Sequence, residues 1–131
     1  GRDKVVAALD ARMGEIYLAA YEKIDGAWAT VIEPCLCKAA DAPLPNGAGW
    51  YGAGSGFALS ENELSARYTG KLDGMDARAV PQAAAVAQLA AVGFVAGQAL
   101  DAAQALPLYL RDKVALKTCE REAARAPYTE S

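Results

Sequence analysis

Asp10, Arg12, Gly14 and Glu15 place two carboxylates and a guanidinium within six positions, directly after an apolar run that reads as a strand. A carboxylate at a strand end, on the rim of a cleft, can hold Mg²⁺ through oxygen and oppose a phosphate-bearing ligand. The turn that follows speaks against nucleotide chemistry. Phosphate-binding turns are built of small residues so that bare backbone amides reach the ligand, whereas Arg12 and Met13 put bulky side chains in the way. Two readings stand: Asp10 caps the turn or pairs with Arg12, or Asp10, Arg12, Gly14 and Glu15 form a docking or cleft-rim patch.

A second candidate is Gly52-Ala-Gly-Ser-Gly56, between an expected strand and an expected helix. Amides at such a turn can receive a phosphate, and close approach requires glycine, so Gly52, Gly54 and Gly56 are candidate nucleotide contacts. The spacing matches neither the dinucleotide fingerprint nor a P-loop, and no Lys-Ser or Lys-Thr follows, so a plain tight turn is the competing reading. The chain has no histidine, which removes Cys-His dyads, Ser-His-Asp triads and His-based zinc or iron sites at once. No metal ligand set is expected. Cys35 and Cys37 fall on one side of a strand, but two thiolates half-fill a tetrahedral metal and Cys119 is remote, so they are expected in the core. Tyr17, Tyr21, Trp28, Trp50 and Tyr51 offer a stacking surface or, more simply, packing against helices. If the segment after Leu110 is helical, Lys113, Lys117, Arg121 and Arg125 form one basic stripe, either a solvated face or a contact for phosphates or an acidic partner.

The elements that must position these groups fit one domain. The 131 residues suffice to bury about two-thirds of the extended surface. A net charge of −3 lacks the basic excess of a nucleic-acid reader, which excludes autonomous RNA binding. Three cysteines do not make a secreted disulfide framework, and no apolar run approaches the roughly 20 residues of a membrane span, so a cytoplasmic protein is expected.

Lys4 to Asp10 reads as a central strand covered on both faces, and Glu15 to Lys23 alternates as a second strand with Ile16, Leu18 and Ala20 on one side. Asp25-Gly26 is a hairpin signal leading to a third strand over 27–36. Pro43, Pro45, Asn46 and the nearby glycines mark a loop over 38–49 with room for one helical turn. Trp50 to Gly54 is the fourth strand, 57–68 a helix with Phe57, Leu64 and Tyr68 on one face, and 76–80 a short fifth strand. Pro81 opens an alanine-rich helix to about Ala96, stopped by Gly97, with Leu89, Val92 or Phe94, and Val95 toward the sheet. A three-stranded antiparallel meander followed by strand-helix-strand-helix is the pattern of a ribonuclease-H-like lobe, the half-unit of actin-like and sugar-kinase-like proteins, in the α/β or α+β class with a mixed sheet of about five strands. That lobe is assigned to 1–116, with a charged tail over 117–131.

Asp10-Ala-Arg-Met-Gly-Glu-Ile-Tyr17 and Leu106-Pro-Leu-Tyr-Leu-Arg-Asp-Lys-Val-Ala115 each resemble a signature of the TsaB family, also called YeaZ, in the right order and at a compatible separation. The resemblance spans about Lys4 to Leu116 and about half of that family's protein. The other lobe, which opens with a strand ending in an Asp-Thr-Ser-type turn, has no counterpart here, so an isolated C-terminal lobe is expected. Arg111 lies in the Tyr-Leu-Arg part of the second string, and its expected role is to tie the tail to the lobe or to contact a partner. The family implies a noncatalytic scaffold in threonylcarbamoyladenosine modification of tRNA. Its partners are a TsaD-like catalytic subunit and a TsaE-like ATPase. ATP or ADP and Mg²⁺ enter only with the assembled complex, and tRNA is met only through it. The family's M22 glycoprotease label implies a chemistry for which this chain has no histidines. Two rivals remain: half of a sugar-kinase-like phosphotransferase using Asp10 and Gly52 to Gly56, and an interaction module that forms homodimers.

Overall fold

A computed structural model describes residues 1–59 and 63–111. Five strands, β1 (Lys4–Asp10), β2 (Ile16–Ile24), β3 (Ala27–Cys37), β4 (Trp50–Ala53) and β5 (Leu72–Asp76), form one sheet in the order β3-β2-β1-β4-β5. The first three make an antiparallel meander, and β4 and β5 join parallel to β1. This is the mixed sheet expected of an actin-like lobe. Asp25 and Gly26 both take positive φ, 50° and 83°, as a two-residue hairpin twisted to match its strands demands. Both rims are irregular: β3 slips register against β2 on either side of Ala20, and β5 slips against β4 between Trp50 and Gly52.

The core lies on one face. Strand alternation aims Val6, Ala8, Ile16, Leu18 and Ala20 the same way, under Phe57 from α1 (Gly56–Leu59), Leu64 from α2 (Glu63–Arg67) and Tyr68 just after it. Each fully buried large side chain contributes about 1.5–3 kcal/mol. The 38–49 connection, with a 3-10 turn at Ala39–Asp41, closes the layer and is pinned from the end of α2 and the turn after it: the Tyr68 hydroxyl donates to the Pro43 carbonyl (2.5 Å), Arg67 to Ala42 (2.9 Å) and Lys71 to Pro45 (2.9 Å). Burial pushes the Tyr68 phenol up to about 12.

Cys35 and Cys37 are half-buried and pack against this core, as their shared side of β3 requires. Burial, aided by the Cys35 thiol, pushes Cys37 up to about 11, which keeps it protonated and unreactive near neutrality.

Three expectations are corrected, and a fourth, the helix over 57–68, is described only in part. β1 is covered fully on one face only: Val6 and Ala8 are buried, while Val5 and Ala7 are half-buried and Leu9 is exposed. The fifth strand runs over Leu72–Asp76 instead of 76–80, because Asp76 ends it by accepting the Arg78 backbone N–H (2.9 Å) in a turn. The helix expected over 57–68 is described as two short pieces, with Phe57, Leu64 and Tyr68 buried together as anticipated and 60–62 outside the described residues. The third helix, α3 (Ala83–Val95), ends at Gly97 (φ +75°) as expected, yet none of its residues is buried. Leu89, Val92, Phe94 and Val95 are therefore not buried against the sheet. Apolar side chains surround α3 with no charged residue among them, so the period of 3.6 selects no docking face.

Candidate functional site

The sheet reverses its direction of growth between β1 and β4: the chain first adds strands on one side of β1, then on the other. At such a switch point the loops leaving two neighbouring parallel strands diverge and open a crevice, where ligands of open α/β sheets usually sit. Asp10 ends β1 there, Gly54 and Ser55 leave β4 beside it, and the Ser55 hydroxyl accepts the Asp10 backbone N–H (3.0 Å).

Between β1 and β2 the chain turns through Arg12, Met13 and Gly14 with φ of 64°, 58° and 74°. Glycine takes that conformation freely, but each of the two side-chain-bearing residues pays about 1–2 kcal/mol for it. The compensation is visible. Asp10 Oδ1 accepts the Arg12 backbone N–H (2.7 Å) and Oδ2 lies 3.3 Å from the Arg12 guanidinium. Glu15 O accepts from Ala11 (3.0 Å), and Glu15 N–H donates to Arg12 O (3.1 Å).

Arg111 completes the arrangement from the far end of the described chain. Its Nη2 donates to the Ala11 carbonyl (3.0 Å) and approaches that of Arg12 (3.5 Å), while Nη1 meets Glu15 Oε2 at 2.6 Å. Only 12% of the side chain is exposed. Desolvation opposes the charge, but hydrogen bonds to Tyr17 and Glu15 and their Coulomb attraction prevail, holding the guanidinium above its ordinary value. The planar fork is what allows one side chain to meet a carboxylate and carbonyl oxygens together. The approach of Arg111 carries Leu108 and Leu110 into a groove beside Leu9, Tyr17 and Pro34, on the sheet face opposite the core.

The three glycines after β4 serve the same close packing. A Cβ on Gly52 would stand 2.7 Å from the Phe57 ring, and one on Gly56 would stand 2.9 Å from Ala8. Gly54, at φ +112°, turns where the Ala8 carbonyl leaves no room for a side chain. Packing therefore accounts for glycine at Gly52, Gly54 and Gly56.

Asp10, Arg12, Gly14, Glu15 and Arg111 are thus brought together, with Asp10 paired to Arg12 and Arg111 tying the late segment to the lobe. Sequence reasoning missed Ser55, which sits inside the quoted glycine string, it read Tyr17 as a stacking or packing aromatic and not as a partner of Arg111, and it missed the left-handed backbone of Arg12 and Met13, which no residue type announces. Among the aromatic candidates, Trp50 is buried, Tyr17, Tyr21 and Tyr51 are half-buried and Trp28 is exposed. Lys113, Lys117, Cys119, Arg121 and Arg125, and the boundary placed after 116, lie outside the described residues. Among the described residues, no group of three or more His, Cys, Asp or Glu gathers as for a metal, and no helix is long and apolar enough to cross a membrane.

The chain superposes on YeaZ from Pseudomonas aeruginosa with a TM-score of 0.72 and 31% identity, over 84% of this chain and 50% of that one. A Pseudomonas aeruginosa protein described as similar to the peptidase YeaZ matches with a TM-score of 0.73 and 32% identity, over 85% of this chain and 50% of that one. The chain thus resembles one lobe of YeaZ in fold and in sequence. It spans about half the length of the YeaZ structures it matches. No family model matches the chain, and no curated protein does.

Proposed function

We propose that this YeaZ-type lobe belongs to a noncatalytic scaffold subunit that serves threonylcarbamoyladenosine modification of tRNA in the cytoplasm. The observation that carries the reading is the match of most of this chain to one half of YeaZ at about a third identity. The site geometry supports it. Asp10 and Glu15, the carboxylates available for metal or proton work at the switch point, are engaged by Arg12 and Arg111. A phosphotransferase half would need Asp10 open and the glycine amides free to accept phosphate, and neither is favoured by this packing.

On this reading the transfer chemistry resides in a TsaD-like subunit assisted by a TsaE-like ATPase. The lobe by itself binds no nucleotide or Mg²⁺, and it meets tRNA through the complex. The test is reconstitution with the TsaD-like and TsaE-like proteins and the remaining components, with this chain as the sole TsaB-like protein and then with the half of YeaZ it does not match supplied as well. Modified nucleoside, measured by mass spectrometry, is expected only in the second mixture. Full modification in the first would overturn the reading of a dependent lobe. ATP turnover by the chain alone, lost in Asp10→Asn, would replace it with the phosphotransferase.

A further inference from the structure

Cys35 and Cys37 lie two positions apart on β3, so their side chains leave the strand on the same face. β3 is an outer strand of the sheet, and both thiols are half-buried where it meets the margin of the core, opposite Leu18 and Ile16 of β2. The two also act on each other. Burial raises Cys37 most, and next come the charge of Cys35 and a hydrogen bond with its thiol. Two free thiols in mutual contact, partly open to solvent and fixed to one strand, are arranged as a chelate, and the role of a scaffold lobe gives them no task.

Three occupants fit poorly. A tetrahedral Zn²⁺ needs four ligands, and among the described residues no group of three or more His, Cys, Asp or Glu gathers. Two-coordinate Cu(I) would need both thiolates, and the resulting anion would sit half-buried beside Asp41 and Glu15, whose charges already oppose ionisation of Cys37. A disulfide has to reach across two positions of extended strand, about 6.6 Å between Cα atoms, near the upper end of what that bond spans. The pair favours an atom that sits between the sulfurs, takes two of them and leaves no net charge. Trivalent arsenic carrying one organic group meets all three conditions.

We propose that Cys35 and Cys37 form a dithiol site that captures monosubstituted trivalent arsenicals as a cyclic dithioarsenite closed across Leu36. In the capture step an oxide of the form R–As=O bonds its arsenic to both sulfurs; the two S–H bonds and the As=O bond break, and both protons leave with the oxide oxygen as one water. No oxidation state changes. Because protonated thiols are consumed, no net proton is released and the product is neutral, so the burial that makes either thiol a poor nucleophile does not oppose the finished chelate. Holding both sulfurs on one strand makes the second bond an intramolecular event, with the gain in affinity that linkage brings.

The experiment incubates the folded, reduced chain with phenylarsine oxide at neutral pH and reads the intact mass. One phenylarsenic per chain is expected, retained in excess mercaptoethanol and removed by dimercaptopropanol. Cys35→Ser and Cys37→Ser should each weaken capture at least tenfold, while Cys119→Ser leaves it unchanged. Should a serine variant fail to fold, the parent decides: after excess reagent is removed, alkylation in denaturant followed by peptide mapping should find Cys119 modified and both Cys35 and Cys37 protected. The site is overturned by the absence of capture in the folded chain, by full capture in either folded serine variant, or by protection of Cys119.

Discussion

The switch-point edge of the sheet and the α3 helix are opposites in construction. At the edge, a turn with two unfavourable left-handed residues is held by Asp10, Glu15 and Arg111, and three glycines admit backbone and ring contacts that no side chain would allow. At α3, thirteen residues of good helical geometry touch almost nothing with their larger side chains. Strain at the edge is over-determined by several partners among the described residues, whereas the larger apolar side chains of α3 are left exposed.

That contrast orders the expected effects of substitution. Gly54→Ala meets both a left-handed backbone and the Ala8 carbonyl, so it should cost about 3 kcal/mol in urea unfolding, with Gly56→Ala close behind at about 2 kcal/mol. A loss under about 0.5 kcal/mol at both would mean that the β4–α1 turn is not packed against β1 as described. Arg111→Ala should lower the urea midpoint measurably, because the Glu15 carboxylate and the Ala11 carbonyl lose their shared donor. Arg111→Lys should recover less than half of that, because an ammonium cannot serve the carboxylate and the carbonyls as a fork does. Equal stability of the lysine and arginine forms would reduce the clasp to simple charge pairing.

Alkaline titration probes the core between these two regions. Cys37 and Tyr68 both keep their protons longer in the folded chain, to about 11 and about 12 against ordinary values of 9.0 and 10.0. The unfolded chain therefore loses protons first, and stability that is whole below pH 9 should fall as pH rises toward 12. Tyr68→Phe should lessen that slope between pH 10 and 11 and remove it above pH 11, where Cys37 no longer contributes; an unchanged slope would show that the phenol is not desolvated. The smallest effect is expected on α3, where Val86→Gln in the isolated chain should move stability by no more than about 0.5 kcal/mol. A larger loss would mean that α3 is already packed within the lobe.

Much of this arrangement was legible because the responsible signals are local. The Asp25-Gly26 pair fixed the hairpin, the alternation of Ile16, Leu18 and Ala20 fixed the buried face, and Gly97 fixed the end of α3. The early string and Arg111 were singled out separately, but their meeting could not be derived: a contact across a hundred positions depends on where the sheet places both ends. The fifth strand was misplaced because Asp73, Gly74 and Asp76 carry little strand propensity, and pairing with β4 selects them over Ala77 to Val80. The third helix misled for a different reason. Its apolar residues promised burial, but with no charged residue to mark an outer face the pattern does not say which side, if any, docks on the sheet.

The irregular rims of the sheet have a consequence for assembly. Pro34 offers no amide hydrogen on one outer strand, and the other is short, carries Asp73 and Asp76, and bends at Gly74, with φ +146°. Neither border presents an even row of donors and acceptors onto which a sixth strand could zip, so lateral growth into larger sheets or fibrils is discouraged. Whatever joins this lobe must therefore arrive side-on, by meshing side chains instead of by extending the ladder.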